Sequence, residues 1–402
     1  MSTNNSSLNA DSAIELLLRL LKVPGLSGQE QAISDTVRGE LIAVGVPVES
    51  IQTDDAPTRI DLPCELGNLY VTLPGTTTGP RIVLSTHLDT VPICAGAQPI
   101  REGNRIRTNG TTGLGGDNRT GCAVLIATVA TLLKHKLPHP PLTLLFTVRE
   151  ESGIQGARHL NPAALSGAEM CFNFDSKVPA DLITGAVGQE SFTVEIGGLA
   201  SHAGVAPEKG ISATLVASLA LADLHAHSWF GKVQQPEGKG TSNIGVFGGK
   251  MGLAAGDATN VVTDYVLLKG ESRSADEAFT TKITQAYRAA FERAVEQVTS
   301  ADGQKATLKF TSHAAYPPFN LADDDPVVQR AILAAKSLGL EPTTNFSNGG
   351  LDANWLVKHG LPTVTMGAGQ HEIHTVKEFI DLDQFIEGCQ LALAIATLAS
   401  ND

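Results

Sequence analysis

The first 185 residues alternate between two hydrophobic periods. DSAIELLLRLLK (11–22) and QEQAISDTVRGELIAVG (29–45) set Ile, Leu and Val three and four positions apart, which predicts two amphipathic helices. RIVLSTH (81–87) and PLTLLFTV (141–148) are unbroken apolar runs of strand length, separated by an apolar helical stretch, GCAVLIATVATLLKH (121–135). Strands that alternate with helices predict an α/β fold with a mostly parallel, doubly wound sheet. The continuous apolarity of LTLLFTV suits a strand covered on both faces.

From about residue 186 the pattern changes. SFTVEIGG (191–198) alternates like a half-exposed strand, GISATLVASLALADLHAH (210–227) is helical, and TSNIGVFGG (241–249) and NVVTDYVLLKGESRS (260–274) read as strands. The long helix ADEAFTTKITQAYRAAFERAVEQV (275–298) and the strand KATLKFTSH (305–313) follow. The order β-α-β-β-α-β is that of a ferredoxin-like α+β layer. Residues 186–312 are therefore expected to form a second domain, inserted into a first one made of 1–185 and 313–402. The tail returns to the earlier pattern. DDDPVVQRAILAAKSLG (323–339) predicts a helix with Asp325 at its N-cap, Pro326 at the first helical position and Gly339 beyond its end. A strand, PTVTMGAG (362–369), and a final helix, DQFIEGCQLALAIATLAS (383–400), complete the sheet.

In open α/β sheets, ligands bind outside the carboxyl ends of the strands, so the residues that close each apolar run carry information. RIVLSTH closes on His87, LTLLFTVREE on Glu150 and Glu151, MCFNFD on Asp175, and PTVTMGAGQHEIH on His374. Asp117 lies in the Gly-rich loop TTGLGGDNRTG, directly ahead of a helix. Each of these residues alone reads as a turn, cap or surface group, whereas their joint placement at one sheet edge reads as a metal site. Imidazole nitrogen and carboxylate oxygen are zinc donors, and a catalytic site leaves one position open. His87, Asp117, Glu151, Asp175 and His374 suffice for two zinc ions bridged by Asp117, with cobalt or manganese able to substitute. His371 competes with His374 for the last place, and spacing does not separate them.

The neighbouring Glu150 is expected to take a proton from the attacking water and hand it to the leaving amine. Asp89, two residues after His87, is expected to accept the second N–H of that imidazole. His202 stands out in GGLASHAGVAPEKG, a Gly-rich loop of the inserted domain with no local structural task. Rival chemistries lack their signatures: there is no G-x-S-x-G elbow and no P-loop, and the GLGG stretch lacks the dinucleotide pattern.

A formal net charge of −13 argues against nucleic acid or an anionic membrane surface as partner, since both need a cationic face. No stretch approaches the roughly 20 apolar residues of a membrane span. The N-terminal segment lacks the basic n-region and cleavage site of a signal peptide, so a soluble cytoplasmic protein is expected. Cys64, Cys94, Cys122, Cys171 and Cys389 are odd in number and include no C-x-x-C pair, which predicts buried reduced thiols.

Seven segments resemble, in their order and spacing, the motifs of the dinuclear-zinc exopeptidase family that includes tripeptide aminopeptidase, glutamate carboxypeptidase, aminoacylase and succinyl-diaminopimelate desuccinylase. They are STHLDTVP (85–92), GLGGDNRTG (113–121), FTVREESGIQGA (146–157), NFDS (173–176), GLASHAG (198–204), ATNVV (258–262) and HEIHTVKEFI (371–380). The resemblance implies one zinc on His87, Asp117 and Asp175 and a second on Asp117, Glu151 and His374, so that it selects His374 over His371. It implies Glu150 as acid/base, Asp89 as the partner of His87, and a cis bond between Asp117 and Asn118. The inserted domain becomes a lid that mediates homodimerisation. His202 becomes an oxyanion donor, Arg273 the partner of a substrate carboxylate, and Asn260 a polar helper nearby. Aspartate at position 175, where carboxypeptidase and desuccinylase relatives carry glutamate, points to cleavage of di- or tripeptides from a free amino terminus. An N-acyl amino acid amidohydrolase of the same fold, and a non-catalytic binding protein, are the competing expectations.

Overall fold

The computed structural model describes residues 8–165 and 167–399. The polar leader 1–7, Ser166 and the expected end of the final helix at Ser400 lie outside that description. The chain divides into two compact units, one holding the residues up to Ala186 together with those from Asn320 onward, the other Val187–Phe319.

In the first unit the sheet runs in the order Ile51–Thr53, Leu69–Leu73, Leu142–Thr147, Arg81–His87, Ala168–Ser176, Thr363–Gly367 and Asp181–Ala186, with Thr343–Ser347 paired to the last of these. The strands at its centre are parallel: Arg81–His87 pairs with both Leu142–Thr147 and Ala168–Ser176, and Thr363–Gly367 extends that set. Antiparallel pairing begins only at Leu69–Leu73 on one side and Asp181–Ala186 on the other. Every residue of Leu142–Thr147 is buried, so both faces of that strand are covered, as its unbroken apolarity requires. Helix Gly116–His135 packs on the central strands, and helices Ala10–Leu20 and Leu382–Thr397 pack on it in turn. The core includes Leu84, Phe146, Phe172, Phe174, Val364 and Phe385, each fully buried. Burying one such side chain contributes about 1.5–3 kcal/mol.

Helix boundaries follow local signals. Helix Pro326–Ser337 starts after Asp325 and ends ahead of Gly339, whose φ of +78° suits a residue without a side chain. The last helix begins at Leu382, where the Asp381 carboxylate accepts hydrogen bonds from the backbone of Asp383 and Gln384. Asp117 and Asn118 carry non-helical backbone angles, and the peptide bond between them is cis. The Asn118 side-chain oxygen accepts from Gly121 N–H at 3.0 Å, so the regular helix starts beyond it.

One feature of this unit has no counterpart in the hydrophobic pattern. Ile100–Glu102, Arg105–Arg107, Gln370–His371 and Phe379–Asp381 form a small antiparallel sheet. Its strands are two or three residues long, too short to show a period of two.

The second unit is one antiparallel sheet in the order Gly231–Gln235, Gly238–Gly248, Tyr265–Ser274, Gly188–Gly197 and Thr307–Tyr316. Helices Ala213–Ala226 and Glu277–Gln297 pack against it and against each other. Phe192 lies 4.7 Å from Tyr287 and 5.4 Å from Phe310, ring centre to ring centre, at the middle of its core. Without the edge strand Gly231–Gln235 the layout is ferredoxin-like. That extra strand buries only Val233, so it carries too little apolar alternation to be read from sequence. The strand expected to start at Asn260 starts at Tyr265, because Val262 N–H turns aside to the Ser201 carbonyl. The strand expected to stop at His313 continues to Tyr316, and the second crossing between units falls at 319/320 rather than 312/313.

No described helix is long and apolar enough to cross a membrane. All five cysteines are free thiols; Cys94, Cys122, Cys171 and Cys389 are buried and Cys64 is partly so.

Candidate active site

At the carboxyl end of the central strands, seven of the expected residues come together. His87 ends its strand with its imidazole 1% exposed. Its Nε2 lies 3.1 Å from Asp117 Oδ1 and 3.6 Å from Asp175 Oδ1. His374 Nε2 lies 3.2 Å from the other Asp117 oxygen, Oδ2, and 2.9 Å from Glu151 Oε1. The Asp117 carboxylate therefore turns one oxygen to each imidazole and divides the cluster into two halves. Donor atoms of His87, Asp117 and Glu151 all fall within 4.8 Å of one another, the spacing of a group able to hold a cation. His371, the competing histidine, points elsewhere: its Nε2 meets Gln384 Oε1 at 2.6 Å and its ring stacks on Phe379.

The electrostatics fit the same use. Burial raises the Asp117 carboxyl, but the imidazoles of His374 and His87 outweigh it and hold the group well below its ordinary range. Hydrogen bonds to Asp117 and Glu151 raise His374 to about 10. Burial and the nearby Asp117 raise Glu151 to about 7. Glu150 is pushed well above its usual range by withdrawal from water, with Asp175, Glu151 and Asp352 adding like charge and His87 opposing them. So many carboxylates at close quarters repel one another unless cations sit among them. The residues present thus suit two divalent ions, one per half of the cluster.

Asp89 does more than the expected outer-shell task. His87 Nδ1 lies 3.0 Å from the Asp89 backbone carbonyl and 3.4 Å from its Oδ1, so both groups face that nitrogen and the carbonyl is the nearer. The carboxylate also accepts from Glu150 N–H at 2.9 Å, Glu151 N–H at 3.1 Å and Ser27 Oγ–H at 2.5 Å. It fixes the turn that carries both glutamates.

The remaining expected residues lie in the second unit. His202 is exposed, and Ala203 N–H bonds the Asn260 carbonyl, which keeps those two loops together. His202 Nδ1 accepts from Gly204 N–H at 3.1 Å, which assigns the ring proton to Nε2 and leaves that nitrogen as a donor. Arg273 and Glu271 share one face of their strand. The guanidinium of Arg273 forks onto the Glu271 carboxylate at 2.9 and 3.0 Å, so in this structure it is already engaged by an acid of its own chain.

Sequence reasoning passed over four buried polar groups. Glu378, 1% exposed, accepts backbone N–H groups from Leu114, Gly115 and Asp117 at 2.6, 2.9 and 3.2 Å. It ties the segment after His374 to the loop that presents Asp117. Gln370 bonds Asp175 Oδ1 at 3.3 Å and accepts from Thr120 Oγ at 2.7 Å. Asp352 accepts from Thr147 through Oδ2, and burial raises it to about 7. Glu30 accepts from Gly28 and Arg149. Glu378 alone had a visible signal, since it falls in the HTVKEF motif.

Glu378→Ala should leave those three buried N–H groups without an acceptor, at a cost of about 1–3 kcal/mol each. We expect a lowered thermal midpoint together with weaker metal binding, measured by calorimetry and by metal titration. Unchanged metal affinity would remove Glu378 from the support of Asp117.

A mostly parallel sheet bearing two imidazoles and a cluster of carboxylates at its carboxyl edge defines a hydrolase of the metal-assisted kind. The chain belongs to peptidase family M20/M25/M40, whose model matches residues 83–397, and it is a peptidase. The uncharacterized protein YqjE of Bacillus subtilis (strain 168) is 31% identical over 389 residues, 96% of this chain and 98% of its own. Among solved structures, the aminopeptidase PepT from Bacillus cereus superposes with a TM-score of 0.84 at 30% identity, covering 97% of this chain and 99% of its own. A tripeptidase from Staphylococcus aureus superposes with a TM-score of 0.88 at 28% identity, covering 98% and 100%.

Proposed function

We propose that the protein is a zinc aminopeptidase that removes the first residue from di- or tripeptides with a free amino terminus. The observation that carries this reading is the Asp117 carboxylate, with one oxygen toward His87 and the other toward His374. His87, Asp117 and Asp175 would hold one ion; Asp117, Glu151 and His374 would hold the other. Bound there, the pair supplies a Lewis acid and water made acidic enough to react near neutral pH. The likeness to an aminopeptidase and a tripeptidase over nearly the whole chain supports the substrate class.

This chain's own groups do the rest. Glu150, whose carboxyl is held well above its usual range by burial, accepts the proton of the attacking water and delivers it to the departing amine. Asp89 holds the Glu150 and Glu151 backbone so that neither side chain drifts during that transfer. His202, with its proton on Nε2, serves as the donor to the developing oxyanion. Arg273, with Asn260 beside the His202 loop, recognises the far carboxylate of the peptide, exchanging Glu271 for substrate. Residues 187–319 act as a lid and join two copies of the chain; the exposed Phe247, Met251 and Leu253, at 52, 95 and 70%, offer the apolar surface such a contact needs. We place the protein in the cytoplasm.

A panel of trialanine, dialanine, their N-acetyl forms and acetylated single amino acids tests the assignment. We expect cleavage of the free-amine peptides with release of the first residue, and none of the blocked ones. Turnover confined to acetylated amino acids would replace the aminopeptidase by an amidohydrolase. Elemental analysis of the purified protein should find zinc.

A further inference from the structure

The turn Arg149–Glu151 is built unusually. Its three successive backbone N–H groups all end on carboxylates: Arg149 on Glu30 Oε1 at 3.0 Å, Glu150 and Glu151 on the two oxygens of Asp89. Arg149 sits at φ +53°, a left-handed conformation that costs a residue with a side chain about 1–3 kcal/mol unless its surroundings impose it. Those surroundings come from one segment near the N-terminus. Glu30 is fully buried, and its Oε1 also accepts from Gly28 N–H at 2.8 Å. Its second oxygen has no partner among the described residues. Gly28, at φ +85°, leaves no room for a side chain, because a Cβ there would stand 2.3 Å from the Arg149 guanidinium and 2.5 Å from the Pro63 carbonyl. The guanidinium itself reaches Pro63 O through Nε at 2.8 Å and Ser152 Oγ through Nη1 at 2.9 Å. One residue before Gly28, Ser27 gives its hydroxyl to Asp89.

We propose that Glu30 is a positioning residue for the reaction: through the Arg149 N–H it sets the start of the turn and so aims Glu150 at the water, while Asp89 keeps Glu151 in place. Ser27–Glu30 is thereby a brace with two ends, one on each carboxylate that holds the turn. The inference rests on the acid/base reading of Glu150. What Glu30 contributes is an acceptor oxygen at a fixed place, and a glutamine carries the same oxygen. A misplacement of about 1 Å at a reacting group costs on the order of a hundredfold in rate.

The full-length, metal-loaded protein is assayed on trialanine as the parent, Glu30→Ala, Glu30→Gln and Glu150→Gln, with metal content measured for each. We expect Glu30→Ala to lose on the order of a hundredfold in kcat, with KM and metal content close to those of the parent, and Glu30→Gln to stay within a few-fold. Hydrogen exchange over residues 148–154 reads the brace without substrate: amides there should exchange about tenfold faster in Glu30→Ala than in Glu30→Gln, the loss of one buried hydrogen bond. An active Glu150→Gln would sink the acid/base reading, while the exchange result still decides whether Glu30 sets the turn. An inactive Glu150→Gln beside a fully active Glu30→Ala, equal losses in both Glu30 variants, or unchanged exchange would overturn the role given to Glu30.

Discussion

Glu150→Gln is expected to lower kcat by about 10²–10⁴-fold while both ions stay bound. The amide has the shape of the carboxylate but can neither take a proton from water nor return one to the leaving amine. The backbone N–H of residue 150 still reaches Asp89, so the turn keeps its place. The cluster distances involve His87, Asp117, Glu151, Asp175 and His374 and leave Glu150 out, which is why ion content should not change. Steady-state kinetics with elemental analysis checks both halves of the statement. Parental turnover would take the proton transfer away from Glu150; a loss of ions in step with activity would make it a ligand instead.

The second large effect concerns Asp117. Because each of its oxygens faces a different histidine, Asp117→Ala should weaken both halves of the cluster at once. We expect ion content to fall from about two per chain toward none, and activity to background. Dialysis against a chelator followed by elemental analysis measures it. A variant that keeps one tightly held ion would show that the halves are independent and that the carboxylate does not bridge.

Much of this was legible in the chain, for reasons that differ by element. Leu142–Thr147 and Arg81–His87 are buried on both faces, so apolar runs alone mark them, and the residue that ends each run lies where a parallel sheet gathers its ligands. The second unit was readable because its strands alternate, until Gly231–Gln235, an edge strand with one buried side chain. The choice between His374 and His371 was made by a motif; in the structure His374 faces Asp117 and Glu151, whereas His371 meets Gln384. The supporting groups were hidden. Glu30 and Glu378 act on backbone N–H groups 119 and more than 260 residues away, and neither a hydrophobic period nor a ligand spacing records a bond to a main chain. Asp89 was seen for its place beside His87, but its hold on the main chain of Glu150 and Glu151 left no mark in the sequence.

The strand Thr363–Gly367 is inserted between Ala168–Ser176 and Asp181–Ala186, and the segment behind it supplies both His374 and Glu378. On a ribosome, therefore, the contiguous stretch Val187–Phe319 can finish its own sheet while the surrounding one still has a gap. On the proposed reading, hydrolytic competence waits until residues 363–378 have emerged.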